Sequence, residues 1–289
     1  MVRRLVIETL ERPRGPYSLR LSARLASDAT RVFRQGVLTA ALPGGELARA
    51  WQRPDGTVGL RADSEAGIEQ LRFVLALADD HSPFLERFAN DPVIGRATRV
   101  LRGLRPLRVT TVAHALLRAV AGQLVTWHHA KEIERTVIRR TSPRLPSGLY
   151  EPPTAETLGR LATADLRSYG LHARRANALV RLCRSLDLER LRTRPTDAVV
   201  TRLTREPGLG PWSAGVVCLQ GLGRTDHGLV GDLGLIKLCS REGARRADAS
   251  ATAALLEPYG DWAGLASVYM LAGLGRGLIS APVSAPAAA

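Results

Sequence analysis

Two short stretches carry residues whose types and spacing could do chemistry. In Glu206-Pro-Gly-Leu-Gly-Pro-Trp-Ser-Ala214, Gly208, Leu209 and Gly210 make a tight turn that opens a helix. Such a turn presents bare backbone N–H groups with the positive end of a helix dipole behind them, an anion site that suits phosphate. In Val230-Gly-Asp-Leu-Gly-Leu-Ile-Lys237, Asp232 is a lone carboxylate among apolar and glycyl neighbours, just ahead of another helical run. A phosphate grip followed by a poorly solvated carboxylate predicts chemistry on a nucleic acid as well as binding to it.

The charge points the same way. The chain has 289 residues with 41 Lys+Arg against 27 Asp+Glu, a net +14 at pH 7. That excess favours polyanions through counterion release and long-range attraction. An Arg-rich genome would explain the preference for Arg over Lys but not the net excess. Cys183, Cys218 and Cys239 are widely spaced, which argues against a disulfide framework, a zinc site or a four-Cys cluster and predicts buried free thiols in a reducing cytosol. The N-terminus lacks the apolar stretch of a signal peptide, and no run approaches a membrane span.

These residues need elements to position them. The chain to about residue 75 reads as β-rich, with short alternating or β-branched runs at 2–9, 18–25, 30–38, 47–52 and 57–62. The turn signals Pro13-Arg-Gly-Pro16, Pro43-Gly-Gly45 and Pro54-Asp-Gly56 lie between them. An amphipathic helix over 64–78 starts at an N-cap Ser64. From Ser82 onward the pattern is helical, with candidate helices at 83–90, 92–101, 110–137, 154–161, 163–168, 172–185, 187–192, 195–203, 211–221, 232–241, 248–256 and 261–278. The expected fold class is therefore α+β at the N-terminus, an antiparallel sheet crossed by a helix, followed by a mainly α domain. The expected boundaries are 1–88, 89–280 and a low-complexity, disordered tail at 281–289.

The helix around Thr196 to Leu203, the Pro-Gly-Leu-Gly turn and the helix after it form a helix–hairpin–helix. Its glycines permit positive φ and close approach of a phosphate. The alternative is an αα-hairpin whose glycines only turn the corner.

With these motifs in place, the chain resembles the helix–hairpin–helix DNA glycosylase superfamily, and within it the DNA-3-methyladenine glycosylase II branch. The resemblance rests on Leu203-Thr-Arg-Glu-Pro-Gly-Leu-Gly-Pro-Trp-Ser-Ala214, Gly231-Asp-Leu-Gly234, Ala119-Val-Ala-Gly-Gln-Leu-Val125 and Gly170-Leu-His-Ala-Arg-Arg-Ala-Asn-Ala178. It spans roughly residues 92–275.

The resemblance implies a monofunctional glycosylase of base excision repair that excises alkylated purines from duplex DNA. Asp232 matches the family's catalytic aspartate, and it could equally cap the helix that begins near Leu233. A fixed carboxylate suits this reaction, because breaking an N-glycosidic bond builds oxocarbenium charge on the deoxyribose. Trp212 stands where bifunctional relatives carry the Schiff-base lysine, so strand cleavage through that position is not expected. Its indole could stack on a cationic base or be plain core. Gln123 and Leu124 match the wedge segment that fills the gap left by a flipped nucleotide, with an ordinary core Leu as the alternative.

Trp127, Val216, Tyr269 and Leu271, with Trp212, are the expected pocket residues. The family's aromatic positions look like Val216 and Tyr269-Met-Leu271 here, with Trp262 and Tyr269 the nearby aromatics, so the lesion preference is the open part. Gly208, Leu209, Gly210, Ser213, Gln123 and Leu124 are the expected DNA contacts, and Arg174, Arg175, Arg181, Arg202 and Arg205 could line the backbone. The resemblance implies no organic cofactor, but a monovalent cation (Na or K) on the Gly208 and Gly210 backbone. The expected partner is double-stranded DNA with a damaged base, and no membrane. The chain is expected to be a cytoplasmic, nucleoid-associated monomer. Two rivals stand: a non-catalytic damage- or structure-specific DNA-binding protein, and a glycosylase for oxidised or deaminated bases.

Overall fold

The computed structural model describes residues 6–24, 26–240 and 247–280; the expected tail at 281–289 and the start of the first expected strand lie outside them. Strands β1 (Ile7–Glu11), β2 (Arg31–Arg34), β3 (Val37–Ala41), β4 (Leu47–Gln52) and β5 (Val58–Ala62) form one antiparallel sheet, ordered β1-β5-β4-β3-β2. The two-residue period sorts its faces. Leu38, Ala40, Ala48, Ala50, Val58 and Leu60 point inward and are buried. Arg49 and Arg61, directly opposed across β4 and β5, are exposed.

Helices α1 (Leu19–Ala23) and α2 (Glu65–Leu75) complete this layer. The Ser64 hydroxyl accepts the Gly67 N–H at 2.9 Å to start α2, which buries Ile68, Leu71 and Leu75 in the sheet's core. Two expectations fail here. Within the expected strand at 18–25, Leu19–Ala23 form α1 instead, because the Ser18 hydroxyl caps Leu21 N–H at 3.2 Å; residue 25 lies outside the described residues. Residues 30–38 are not one strand but the turn-bearing part of a hairpin. Gln35 (φ 49°) and Gly36 (φ 80°) both adopt the positive φ of a two-residue hairpin turn, which splits the run into β2 and β3.

The rest is helical: α3 (Ser82–Arg87), α4 (Gly95–Val100), α5 (Val112–Gly122), α6 (Trp127–Thr141), α7 (Ala155–Gly159), α8 (Thr163–Ser168), α9 (Ala173–Ser185), α10 (Thr196–Thr204), α11 (Pro211–Val216), α12 (Leu233–Cys239), α13 (Ala249–Leu256) and α14 (Ala263–Leu274). Single 3₁₀ turns cover Glu189–Thr193 and Glu257–Trp262, and α11 runs on into a wider π-helical stretch, Val217–Leu222. Nearly every residue of α5 is apolar and buried, which suits a helix enclosed on all sides. It packs on α6, α9, α11 and the π stretch and so forms the axis of the helical part.

The expected helix over 110–137 is two helices. Leu124 sits at φ 55°, a conformation that ends a helix, and Thr126 caps the new one at the His129 N–H, 3.4 Å away. The residues between α5 and α6 are thereby turned out of the helical path.

A buried polar network joins the segment before β2 to α5 and α6. The Asp28 carboxylate accepts from Arg31 at 3.1 Å and from Arg118 at 2.8 Å. Arg118 also donates to Glu134 at 2.7 Å, and His114 Nε2 lies 2.7 Å from Glu134. Burial pushes the Glu134 carboxyl up, but Arg118 and His114 outweigh it and hold the group well below the usual carboxylate range.

Candidate active site

The hairpin consists of α10, the turn to Gly210, and α11. Leu203 in α10 and Leu209 in the turn are buried and anchor the hairpin. Gly208 lies at φ +101°, which side chains rarely adopt, and a Cβ there would stand 3.3 Å from Arg174 Cγ. Gly210 is extended at φ −113°, and a Cβ on it would meet nothing within 4 Å, so the turn is open on that side. Pro211 occupies the first position of α11, where no N–H is needed. Behind the turn, the buried Glu206 accepts from Arg181 Nε at 2.7 Å. Arg181 is thus committed to an ion pair, while Arg174 remains exposed.

Asp232 precedes α12 and uses its two oxygens differently. Oδ1 accepts the backbone N–H of Gly234 at 2.8 Å and, more weakly, that of Leu235 at 3.4 Å. Oδ2 accepts the indole Nε1–H of Trp212 at 2.9 Å. The capping role and a bond to α11 therefore coexist on one half-buried carboxylate. Gly234 permits this crowding. A Cβ there would stand 2.5 Å from Leu271 Cδ2 and 3.1 Å from Asp232 Oδ1. Leu271 accordingly lies against the start of α12, beside the carboxylate.

Trp212 is half-buried, and its six-membered ring lies against Gly122, where a Cβ would be 2.7 Å from Cη2. The next residue, Gln123, donates through Nε2 to the Gly208 carbonyl at 2.8 Å and to Ser213 Oγ at 2.7 Å. Leu124 follows with 79 % of its surface exposed. Gln123, Gly208, Ser213, Trp212, Asp232 and Leu271 are thus brought together along one line of contacts, with Leu124 projecting at its end.

Other expected pocket residues lie elsewhere. Tyr269 is fully buried and its hydroxyl donates to the carbonyls of Leu101 at 3.3 Å and Leu104 at 3.2 Å, so it cannot face a base. It belongs with Phe84, Phe88, Tyr259 and Trp262 to an aromatic group inside the helical core. Val216 is also buried in that core. Trp127 is exposed at the start of α6, with Lys131 Nζ 4.1 Å from its ring centre and His128 edge-on to it. Sequence reasoning missed Gly122 and Gly234. Their signal is present, since each glycine stands one or two residues from a site residue in a helical run that would otherwise favour alanine.

The chain carries lysine only at 131 and 237. Lys131 donates to the Ser27 carbonyl at 3.1 Å, and burial pushes its amine down to about 8. Lys237 is exposed in the last turn of α12.

The architecture is similar to that of 3-methyladenine DNA glycosylase from Archaeoglobus fulgidus, with TM-score 0.79 and 19% identity over 92% of this chain and 98% of that one. It is also similar to an 8-oxoguanine glycosylase/lyase of Clostridium acetobutylicum in complex with double-stranded DNA containing cytosine opposite 8-oxoguanine. There the TM-score is 0.74 and the identity 15%, over 94% of this chain and 99% of that one. A DNA-3-methyladenine glycosylase of Bacillus subtilis (strain 168) is 22% identical over 204 residues, covering 67% of each chain. No family model matches. The fold is that of the helix–hairpin–helix DNA glycosylases, as the motifs implied. Among the described residues, no helix is long and apolar enough to cross a membrane.

Proposed function

We propose that this chain is a monofunctional DNA glycosylase that releases alkylated purines from duplex DNA. The observation that carries the reading is the Trp212–Asp232 pair, with a carboxylate and no lysine at the mouth of a helix–hairpin–helix. The open turn at Gly208 to Gly210 takes a DNA phosphate on backbone N–H groups. Leu124, exposed and aimed away from the core, fills the gap left when the damaged nucleotide swings out.

The bond between the base nitrogen and C1′ then breaks, and its electron pair leaves with the base. Asp232 stabilises the positive charge that develops on the sugar more than it stabilises the ground state. A water adds to C1′, and its proton passes to Asp232. Two backbone donors occupy Oδ1, so Oδ2, with a single N–H donor, is the oxygen with room to accept that proton. An alkylated purine that already carries positive charge departs as a neutral base and needs no proton from the protein. That suits a site whose chemistry rests on one carboxylate.

The product is an abasic site in an intact strand. With Trp212 at the end of the carboxylate, no amine is placed there to form an imine. A monovalent cation at the turn would use the second lone pair of the Gly208 and Gly210 carbonyls, since Gln123 and the Ala214 N–H take the first. The partner is duplex DNA, met by a single copy of the chain.

A second reading keeps the reaction but changes the base to an oxidised purine; the fold shared with an 8-oxoguanine enzyme favours it. Purified protein is incubated with duplexes carrying single 3-methyladenine, 7-methylguanine, hypoxanthine, uracil or 8-oxoguanine, and free base and strand scission are scored separately. Release of the methylated purines without scission is expected. Release of 8-oxoguanine alone moves the substrate assignment, and binding without any release favours a non-catalytic damage-binding protein.

A further inference from the structure

We propose that Trp212 is a positioning residue for Asp232, and that Gly122 is the seat that allows it. This inference rests on the assignment of Asp232 above. The indole is held at two points. Its Nε1–H reaches Asp232 Oδ2 at 2.9 Å, while its Cη2 end fills the space that a Cβ on Gly122 would occupy, 2.7 Å away. A ring that only covered a bound base would need neither contact.

The carboxylate gains a fixed plane from this arrangement. Gly234 and Leu235 hold only Oδ1, the second weakly at 3.4 Å, which leaves Oδ2 free to swing about that anchored edge through small concerted side-chain rotations. A donor on the other oxygen removes that freedom, and Trp212 supplies it from a different helix. Preorganised groups of this kind need no reorganisation at the moment of reaction. Gly122 closes α5 immediately before Gln123 and Leu124. The residues that project the wedge are therefore contiguous with the residue that seats the indole.

The test separates orientation from stacking. Trp212→Phe keeps an apolar ring and removes the donor. Its single-turnover base-release rate is expected to fall about 10- to 100-fold, the size of one hydrogen bond to a charged group. Its affinity for a duplex with a tetrahydrofuran abasic analogue should stay within about twofold. Gly122→Ala should lose rate to a similar extent, and the double variant should lose no more than either alone. A Trp212→Phe enzyme with wild-type rate, or one whose loss lies wholly in affinity, overturns the proposal, as does full additivity of the two changes. The bond is also read without catalysis. In Asp232→Ala, the Trp212 indole N–H resonance should shift and exchange faster with solvent, while those of Trp51, Trp127 and Trp262 stay in place. An unmoved Trp212 resonance refutes the pairing. Absence of base release by the wild type refutes the glycosylase assignment instead and leaves this resonance test in force.

Discussion

The Gln123 side-chain amide donates to the Gly208 carbonyl at 2.8 Å, tying the end of α5 to a turn 85 residues further along the chain. The same nitrogen meets Ser213 Oγ at 2.7 Å, and Ser213 is buried. One side chain thus fixes the hairpin relative to the end of α5. Gln123→Ala should cost about 1–3 kcal/mol of stability, because the Ser213 hydroxyl is left buried with less to bond. It should also weaken binding to an abasic-analogue duplex. Chemical denaturation and fluorescence anisotropy check the two effects; unchanged binding would show that the tie does not hold the turn.

Leu124 combines a left-handed backbone with 79 % exposure, both unfavourable for a leucine and neither offset by packing. Residues forced into that region cost about 1–2 kcal/mol, and glycine removes the cost. Leu124→Gly should therefore raise stability by about 1 kcal/mol while slowing base release from fully paired duplexes. A thermal melt and a single-turnover assay read the two halves. An enzyme that is both more stable and equally fast would contradict the wedge role.

Glu134 is almost wholly buried and is held in ionised form by Arg118 and His114. Its folded value lies below its ordinary value of 4.5. The pairing therefore contributes in full at neutral pH, and the contribution is lost as pH falls below about 4.5. Asp28, also lowered by Arg31 and Arg118 against its burial, acts in the same direction. Glu134→Gln should cost about 3–5 kcal/mol at pH 7, the cost of breaking a buried ion pair from one side. The gap between variant and wild type should narrow below about pH 4.5. Urea denaturation across that window tests this, and a gap that widens in acid would contradict it.

Much of the fold is legible where local chemistry decides structure. Ser64 caps a helix as its position predicts, β4 matches the 47–52 run, and α8 matches 163–168 residue for residue. Asp232 declares its cap through the glycines around it. What stays hidden depends on positive φ at non-glycine residues. Leu124 gives no compositional sign that the chain turns there, and Gly36 alone marks the turn at Gln35, so two helices read as one and a hairpin as one strand. Long-range contacts are equally silent. Asp28 meets Arg118 from 90 residues away, and Trp212 meets Asp232 from 20. Tyr269 looks available for a pocket because its sequence neighbours align with one, yet its hydroxyl is satisfied by two carbonyls in the core.

In the proposed reaction Asp232 does the chemistry and does not merely cap α12. Asparagine can still accept the Gly234 N–H and preserve the cap, but it carries no charge to stabilise the developing cation. The decisive measurement is free-base release by Asp232→Asn from a duplex with a single 3-methyladenine, alongside its affinity for an abasic-analogue duplex. The rate is expected to fall at least about 100-fold below wild type, the scale of losing one preorganised electrostatic contact, with affinity and melting temperature preserved. An Asp232→Asn enzyme that releases base at the wild-type rate would leave Asp232 a helix cap and nothing more.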